Sequence, residues 1–347
     1  ARGGRPVGKL VLYIADADEQ FQLIGKKRPL PVRSWSTVKD IKDVLSQRLD
    51  VQICKQRLFY RGRELRNQHS LQDCGIYQNG ETLTLSVRPN TLHNLNFYLE
   101  TYGTFKCPKS LSRAIIQSKR AMHKGLTPSL AMDGAGGTYF IPNSMGKYVA
   151  CFKPRDEEPF TINNPRGQAW SGVTSSDQEE LTMRKGIRPG DAYIREVAAY
   201  ILDTRSFTGV PETTLVECEN AKFCYNDKRP VPKLGSFQAF VPNVGVVEDF
   251  GLSKFTPKQV HKLAMFDIRV LNGDRNGANI LVRENCRSNG DRLDLVPIDH
   301  GFCLSEVLNI GWCDWCWLDW PQLKEPMDQE ILDYIDRVVD PIADAAL

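Results

Sequence analysis

The sequence lacks a hydrophobic run of membrane-spanning length. No window of its 347 residues reaches the roughly 18 consecutive apolar positions that a transmembrane helix needs, and no short apolar signal segment opens the chain. We therefore expect an intracellular, cytoplasmic protein, with the nucleus and the surface of a membrane as alternatives. The chain opens at Ala1 and stops without an evident finish, which suggests a fragment.

Closely paired cysteines and a strong net charge are also missing. The ten cysteines are scattered, apart from Cys313 and Cys316, so a disulfide scaffold is excluded and we expect free thiols.

Lys and Arg number 45 against 42 Asp and Glu, a balance that does not favour nucleic-acid binding. Residues 1–90 carry a net charge of +7 and residues 91–347 a net charge of −4. This asymmetry predicts two units with different surfaces.

The first 90 residues show the pattern of a small domain with one helix. Alternating apolar residues predict strands over Lys9–Ile14 and Gln20–Ile24, joined as a hairpin. Apolar residues at helical spacing predict a helix from Thr37 to Leu49. Two further strands are predicted at Gln56–Tyr60 and Glu81–Val87. The resulting order is strand, strand, helix, strand, strand.

This region resembles ubiquitin over residues 9–88. The best-matched stretches are Ser36–Lys42, Gln56–Phe59, Arg61–Leu65 and Ser70–Ile76. The resemblance implies a ubiquitin-like β-grasp domain at residues 8–88 and a partner from the proteasome or ubiquitin pathway. Pro89 stands where ubiquitin continues to its diglycine end, so the domain does not resemble a conjugated tag. The positions aligned with the recognition patch hold Phe59 and Ser86 and not two aliphatic residues, so we do not expect ordinary binding to ubiquitin receptors.

The rest of the chain is predicted to be a linker followed by a large mixed domain. Residues 89–125 are predicted as the linker, with one amphipathic helix at Ser110–Met122, and strands and helices alternate from residue 126. The polar stretch Thr161–Gly190 lacks a clear period, which is typical of a surface insertion. The clearest helix begins with a cap-like Thr256. Its apolar stripe is predicted to consist of Val260, Leu263, Ala264, Ile268 and Leu271.

Two elements of the large domain have residue types suited to nucleotide phosphates. Glycines between two predicted strands would let main-chain amides approach phosphate oxygens. The predicted nucleotide-binding residues here are Gly134, Gly136, Gly137, Thr138, Tyr139 and Phe140. Taken alone, the glycines fit a plain hairpin equally well. The predicted strand Tyr148–Lys153 ends in a lysine that either binds phosphate or is an exposed charge.

Acidic and amide side chains complete the pattern. Glu196 lies on the predicted helix Asp191–Leu202 and would hold Lys153 in an ion pair. Asp274 is followed five residues later by Asn279, on a loop between a helix and a strand, and Asp299 ends a buried strand. Such oxygens are the ligands that Mg²⁺ prefers. Each group alone fits a solvated surface residue, but their common order indicates phosphoryl transfer.

These motifs carry a second resemblance. Asp274 followed by Arg, Asn279 and the Asp299–Gly301 motif are similar to the catalytic loop and metal-binding motif of the phosphatidylinositol 3-/4-kinase superfamily. Phe152–Pro159 and Gly235–Val241 resemble its type II phosphatidylinositol 4-kinase branch. With the ubiquitin-like domain in front, the chain most resembles the plant phosphatidylinositol 4-kinase gamma family.

The resemblance implies an α+β fold, a ubiquitin-like β-grasp domain followed by a bilobal PI3/PI4-kinase-like catalytic domain at residues 126–347. The small lobe would span residues 126–239 and the large lobe residues 242–347, with the family's last helices truncated. ATP and Mg²⁺ or Mn²⁺ are the implied cofactors. The implied site consists of Lys153, Glu196 and Asp274 for catalysis, Asn279 and Asp299 for the metal, and the hinge residues Gln238, Ala239, Phe240 and Val241, whose backbone would bind adenine.

The implied reaction is transfer of the ATP γ-phosphate to the 4-hydroxyl of phosphatidylinositol. Residues 293–323 contain no Lys or Arg, so a doubly charged phosphoinositide is a poor acceptor, and phosphatidylinositol or a protein hydroxyl is favoured. Asn276 stands where many lipid kinases have a histidine, and the cysteine cluster for palmitoyl anchoring is missing. The alternatives are a Ser/Thr protein kinase, with autophosphorylation, acting on ubiquitin- or proteasome-linked client proteins, and a weakly active nucleotide-binding scaffold.

A tryptophan cluster has two interpretations. Four of the six tryptophans lie within nine residues, namely Trp312, Trp315, Trp317 and Trp320. They would contact a membrane interface beside the acceptor site or pack inside the large lobe. Packing is the favoured interpretation for Trp317 and Trp320.

Overall fold

The chain folds into two compact units. The structure, a computed structural model, describes residues 9–17, 28–88, 97–167, 184–226, 229–285 and 293–346. One unit lies within residues 1–94 and includes residues 102–106, and the other consists of residues 95–101 and the chain from residue 107 onward. The predicted strand Gln20–Ile24 lies outside the described residues.

The first unit is a five-stranded sheet with one helix packed against it. Its elements are β1 (Lys9–Asp16), β2 (Arg28–Arg33), α1 (Val38–Leu49), β3 (Gln56–Tyr60), β4 (Arg63–Glu64) and β5 (Thr82–Val87). The sheet order is β2-β1-β5-β3-β4, with β1 and β5 parallel and the other neighbours antiparallel. Helix α1 begins where predicted because Thr37 and Asp40 cap each other's amides. The predicted order of strands and helix is confirmed, with the two-residue β4 added, but β1 pairs with Arg28–Arg33, which lies later in the chain than the predicted hairpin partner Gln20–Ile24.

The second unit begins with a six-stranded antiparallel sheet, which forms the small lobe. Its strands are β6 (Phe97–Thr101), β7 (Ser129–Leu130), β8 (Tyr139–Pro142), β9 (Tyr148–Pro154), β10 (Thr213–Asn220) and β11 (Lys233–Ala239), in the order β6-β10-β11-β9-β8-β7. Helix α2 (Lys109–His123) covers one face, where Leu111 and Ile115 pack with Phe152 and Phe237. Residues 97–123 are therefore not a linker: β6 pairs with β10, and α2 closes the core.

Helices and a small sheet form the rest of this unit, the large lobe. The elements are β12 (Gly245–Val246), α4 (Pro257–Arg269), β13 (Asp274–Arg275), β14 (Ile280–Glu284), β15 (Leu293–Pro297), β16 (Asp314–Trp315), α5 (Gln329–Val338) and α6 (Pro341–Ala346), whereas α3 (Ala192–Leu202) belongs to the small lobe and contacts β10 and β11. Apolar residues of α3, α4 and α5 share one buried cluster, which fixes α3 against this lobe. Among the helices of the described ranges, none combines the length and apolar character needed to cross a bilayer.

Two sequence predictions about the large lobe have opposite outcomes. Trp317 and Trp320 are 2% and 6% exposed and pack against α4, as the packing interpretation predicts. The side chain of Trp312 lies outside the described residues. The predicted place of Ile268 in the apolar stripe of α4 is wrong, because Ile268 is 58% exposed and Asp267 takes the buried position.

Candidate active site

Lys153 lies near the end of β9 and faces away from the small-lobe core. Its neighbour Phe152 is buried under α2, and successive residues of a strand point to opposite faces. On the other face, Lys153 Nζ donates to Oε1 of Glu196 on α3 and, at 3.1 Å, to Oδ1 of Asp299. Three predicted site residues from separate elements are thus brought together.

Glu196 is positioned by the capping of its helix. Glu158, in the turn after β9, accepts hydrogen bonds from the amides of Gly190, Ala192 and Tyr193 at 2.7–3.0 Å. Amides at a helix start have no partner within the helix, and here a carboxylate supplies one. The strand that carries the lysine therefore continues into the segment that holds α3. Burial raises the pKa of Glu158 to about 7, against the lowering effect of these three hydrogen bonds.

The Lys153–Glu196 ion pair is buried and charged. Only 2% of the Glu196 side chain is exposed. Burial alone would raise the pKa of Glu196, but Lys153 and His300 outweigh it and hold this pKa well below its ordinary value. Burial alone would lower the pKa of Lys153, but Asp299 and Glu196 raise it well above its ordinary value. The site therefore keeps a fixed positive charge beside Asp299 at neutral pH.

His300 fills the space next to this ion pair. It is fully buried, and its Nδ1 lies 3.7 Å from Oε2 of Glu196, too far for a hydrogen bond. Within the described residues neither ring nitrogen has a hydrogen-bond partner. The ring meets Phe266 of α4 edge-on at 5.8 Å between centroids. His300 therefore packs between the glutamate of α3 and the core side of α4.

Asp274 and Asn279 lie on the loop that follows α4. The Asn279 Nδ2 donates to the Asp274 carbonyl at 2.9 Å, which leaves the side-chain oxygen of Asn279 for another ligand. The Asp274 carboxylate accepts from Nδ2 of Asn276 at 3.1 Å and lies 3.5 Å from Nη2 of Arg184. One quarter of the Asp274 side chain is exposed. The carboxylate is thus oriented by two polar neighbours and still open to solvent; the role of Arg184 has no signal in the sequence.

Asp299 and Asn279 have the chemistry of a magnesium site. Asp299 is 49% exposed on its side chain and has a φ of 55°, a left-handed conformation that aspartate tolerates better than most residues. Carboxylate and amide oxygens are hard ligands that suit Mg²⁺. Over the described part of the chain, no group of three or more His, Cys, Asp or Glu side chains is placed to hold a metal. The two side chains supply oxygen atoms that would suit Mg²⁺, and their role as metal ligands stays a prediction.

A buried carboxylate lies under the Asp274 loop. Asp267 of α4 is fully buried. It accepts hydrogen bonds of 2.9–3.1 Å from the side chains of Asn272, Arg275 and Trp317. Because Asn272 and Arg275 flank Asp274 in sequence, both sides of the loop are tied to one point of α4.

Arg275 extends this anchor to the metal-binding residues. The guanidinium is fully buried, and its Nη1 donates to the carbonyls of Asn279 and Ile298. Ile298 directly precedes Asp299. One side chain thus fixes the backbone at both predicted metal ligands.

The glycine stretch lies between β7 and β8 and packs on the turn after β9. The amide of Gly137 donates to the carbonyl of Glu157 at 2.9 Å. A Cβ atom at Gly137 would lie 2.5 Å from Oε2 of Glu157, so only glycine allows this approach. The prediction that the Gly137 amide binds phosphate is therefore corrected to a packing role, whereas Gly134, Gly136 and Thr138 remain predicted phosphate contacts.

Tyr139 and Phe140 point in opposite directions. Tyr139 is 1% exposed, and its hydroxyl donates to Glu157 at 2.6 Å inside the small-lobe core. The Tyr139 side chain therefore belongs to the core and not to the nucleotide site, so the predicted contact of Tyr139 with nucleotide is limited to its backbone. The Phe140 ring lies 5.1 Å from the ring of Tyr148 and 5.8 Å from that of Phe240. Phe140 thus lies beside the predicted hinge.

The start of the predicted insertion supports the glycine stretch. Arg166 donates through Nη2 to the carbonyls of Ala131 and Asp133, and Asn164 donates to the carbonyl of Ala135 at 2.9 Å. Asn164 is only 4% exposed. The surface-insertion prediction is therefore wrong for Asn163 and Asn164, which are buried, whereas Ile162 is exposed; residues 168–183 lie outside the described residues.

In the part of the chain that the structure describes, the predicted hinge, Gln238–Val241, has one backbone amide that is open to a ligand. The buried side chain of Gln238 donates to Oγ1 of Thr213 at 3.0 Å. The amides of Ala239 and Phe240 already donate to backbone carbonyls of the small lobe, at 2.8 and 3.1 Å. Within the described ranges no protein group accepts from the amide of Val241. Val241 is thus the hinge residue with an amide to offer a ligand.

Side chains from two lobes meet at this site, on either side of the hinge. A lysine held by a helical glutamate belongs to one lobe, and a loop with Asp274 and Asn279, beside Asp299, belongs to the other. Together with the antiparallel sheet, this arrangement defines the second unit as a bilobal kinase domain.

Comparison with known families narrows this class. The model of the family described as phosphatidylinositol 3- and 4-kinase matches residues 134–347, and that of the ubiquitin family matches residues 21–90. The chain belongs to the phosphatidylinositol 3- and 4-kinase family and has a ubiquitin-family segment ahead of the kinase domain. The predicted fold class is thereby confirmed.

Plant proteins are among the similar sequences. Phosphatidylinositol 4-kinase gamma 3 of Arabidopsis thaliana is 38% identical over 288 residues, which are 77% of this chain and 47% of that protein. Phosphatidylinositol 4-kinase gamma 4 of Oryza sativa subsp. japonica is 35% identical over 361 residues, which are 90% of this chain and 61% of that protein. The chain thus spans about half to three fifths of the length of these two relatives. A solved structure of Caldiarchaeum subterraneum ubiquitin aligns with 24% of this chain and 96% of that chain, at 23% identity and a TM-score of 0.21.

Proposed function

We propose that this chain transfers the γ-phosphate of ATP to the 4-hydroxyl of phosphatidylinositol. The observation that carries the proposal is the meeting of Lys153, Glu196 and Asp299 next to the loop of Asp274 and Asn279. The names of the plant relatives support the lipid and the position of its hydroxyl. The activity and its acceptor are proposed for the kinase domain in this chain.

The small lobe binds the nucleotide. The Val241 amide donates to adenine, and the Phe140 and Phe240 rings supply apolar surface beside the hinge. Lys153 places its positive charge on the phosphates, and Glu196 prevents the lysine from turning away. Since Glu158 fixes α3 through three amides, this orientation is set before the nucleotide binds.

The large lobe positions the acceptor and holds the cation. Asp274 orients the acceptor hydroxyl and takes its proton, with Asn276 and Arg184 holding the carboxylate. Asn279 and Asp299 would hold Mg²⁺, which, when bound, offsets charge that develops on the transferred phosphoryl group. The anchor at Asp267 keeps these residues in one arrangement, which matters because phosphoryl transfer depends mainly on positioning.

The charge of the acceptor segment favours phosphatidylinositol among the inositol lipids. Residues 293–323 contain no Lys or Arg to pair with extra phosphates on the headgroup. A headgroup with a single phosphodiester needs fewer cationic partners than a phosphorylated one. We therefore expect phosphatidylinositol to be used in preference to its monophosphates.

The test is transfer of labelled γ-phosphate with phosphatidylinositol vesicles and a generic protein substrate in parallel. We expect label in the lipid, and a loss of at least about 100-fold in Asp274→Ala, the low end of what a positioned acid–base group contributes. Asp319→Ala is the matched control, because Asp319 is an exposed aspartate of the same lobe. Unchanged lipid labelling in Asp274→Ala would remove the proposed role of Asp274.

A Ser/Thr protein kinase, with autophosphorylation, is the second candidate function. The ubiquitin-family segment ahead of the kinase domain favours it, since this segment offers a surface for clients of the ubiquitin or proteasome pathway. Label in protein alone, lost in Asp274→Ala, would support this candidate over the lipid kinase. Nucleotide binding without label in either substrate would support the weakly active scaffold.

A further inference from the structure

The segment after Asp299 exposes a strip of aliphatic side chains. Within residues 304–310, here called the apolar strip, the exposed fractions are 38% for Leu304, 36% for Val307, 75% for Leu308 and 59% for Ile310. The only charged side chain in the strip, that of Glu306, lies 3.4 Å from the guanidinium of Arg188. The strip is therefore a nearly neutral, apolar surface, the kind that marks an interaction site.

Both ends of this segment are fixed next to the acceptor-binding carboxylate. The amide of Gly273 donates to the carbonyl of Phe302 at 2.9 Å, and the carbonyl of Gly273 accepts from the amide of Asp314 at 3.0 Å. The short parallel pairing of β13 with β16 places Asp274 opposite Asp314. Residues 303–313 thus form a loop that closes on the residue directly before Asp274.

We infer that the apolar strip inserts into the surface of a bilayer and brings the headgroup of phosphatidylinositol to Asp274. This inference rests on the proposed function. The acceptor hydroxyl of a lipid lies at the membrane interface, so the residues around Asp274 must approach that interface. Aliphatic side chains at this place gain free energy by entering the boundary between headgroups and acyl chains.

The composition of the strip favours a bilayer over a protein partner. Protein interfaces are enriched in tyrosine, tryptophan, methionine and arginine, and residues 304–310 contain none of these. Residues 293–323 contain no Lys or Arg, and Arg184 and Arg188 each lie beside a carboxylate, 3.5 Å from Asp274 and 3.4 Å from Glu306, so attraction to anionic lipid contributes little. We therefore expect binding that depends on the aliphatic side chains and changes little with salt.

The first test is co-sedimentation of the full chain with phosphatidylcholine vesicles, with and without phosphatidylinositol. In the double variant Leu308→Asp/Ile310→Asp we expect at least about tenfold weaker binding to both vesicles, because two apolar side chains are replaced by charges. The matched control is Ile116→Asp/Val231→Asp, which alters two exposed aliphatic residues of the small lobe in the same way. Equal binding of both double variants would overturn the inference.

Two further readouts separate this inference from a folding defect and from the proposed function. In Leu308→Trp, vesicles with brominated acyl chains are expected to quench more tryptophan fluorescence than in the unchanged chain; equal quenching counts against insertion.

The second readout is the ratio of label in vesicle phosphatidylinositol to label in monomeric short-chain phosphatidylinositol. This ratio should fall about tenfold in Leu308→Asp/Ile310→Asp. Vesicle binding without lipid phosphorylation would refute the proposed function and leave the surface intact. A changed oligomeric state with unchanged vesicle binding would assign the strip to contacts between copies.

Discussion

At the scale of single residues, the site depends on one lysine held by two different carboxylates. Glu196 is buried and fixed by its helix, whereas half of the Asp299 side chain is exposed. The buried partner can therefore keep Lys153 in place while the exposed one interacts with ligands. The orientation of the lysine is assigned to Glu196 for this reason.

Glu196→Gln is expected to lower phosphate transfer by about 100-fold. The neutral amide no longer forms an ion pair with Lys153, so the lysine is not held in position for the phosphates before the reaction. The apparent KM for ATP should rise at the same time. Steady-state kinetics with the lipid acceptor measure both quantities. Glu284→Gln, at an exposed glutamate of β14, serves as the control. Equal kinetics in the two variants would mean that Asp299 alone holds the lysine.

Glu158 makes the stability of the kinase domain depend on pH. Its pKa is about 7 in the folded chain, above the ordinary value of 4.5. Between these pH values the folded protein keeps a proton on Glu158 that the unfolded chain releases. The stabilisation that comes from this proton is therefore complete below pH 4.5 and is lost as the pH rises through 7. The slope is at most about 1.4 kcal/mol per pH unit. Urea unfolding at several pH values should show a flatter dependence in Glu158→Gln, and identical slopes would contradict this assignment.

At the scale of elements, the connection between α4 and the Asp274 loop depends on the buried pair Asp267–Arg275. Both side chains are fully buried. The sequence contains a signal for Asp267, since it lies seven positions after Val260 on the predicted apolar face. A carboxylate at such a position indicates a buried polar partner, although the pattern does not say which residue that is.

Asp267→Ala is expected to lower the free energy of unfolding by about 3–5 kcal/mol, because Arg275 stays buried without its partner. Asp333→Ala, which removes half of the exposed pair Asp333–Arg337, should change it by less than about 1 kcal/mol. Urea denaturation of the full chain measures both values. If Asp267→Ala lowers the free energy of unfolding as little as Asp333→Ala does, the carbonyls of Asn279 and Ile298 are sufficient hydrogen-bond partners for the Arg275 guanidinium.

Elements with local signals are predictable from the sequence, and those that depend on distant pairing are not. Thr256 and Pro257 fix the start of α4 by capping, which needs no tertiary contact. By contrast, β6 is a strand because β10, more than a hundred residues later, pairs with it. The position of Asp274 and Asn279 on a loop between a helix and a strand is likewise predictable from the sequence, whereas the catalytic and metal-binding roles of these residues stay predictions. The packing role of Gly137 has no such signal, since Glu157 approaches it from the turn after β9.

At the scale of the whole molecule, the ubiquitin-like unit includes residues that follow β6 in the chain. The Tyr102 ring meets Phe59 edge-on at 5.4 Å and lies 5.0 Å from the guanidinium of Arg57. Its hydroxyl donates to Glu64 at 3.0 Å. Phe59 is consequently only 1% exposed. The position that resembles part of the ubiquitin recognition patch is thus covered by the same chain.

Tyr102→Ala is expected to destabilise the ubiquitin-like unit by about 1–3 kcal/mol, since an aromatic contact and a hydrogen bond are both lost. Tyr102→Phe should keep most of the ring contacts and lose about 1 kcal/mol. Hydrogen exchange at the β3 amides in the full chain measures the change in this unit alone. Tyr77→Ala, at a tyrosine that is 66% exposed, is the control. No difference between Tyr102→Ala and this control would remove the covering role of Tyr102.

The cover over Phe59 changes what an excised domain can report. A recombinant fragment that ends at residue 88 contains Phe59 and Arg57 but omits Tyr102, so it presents to water an aromatic ring that the intact chain hides. In pull-down experiments, the exposed aromatic surface of such a fragment would bind proteins that the intact chain does not bind. Binding partners of this domain are therefore best sought with baits that extend at least through residue 106.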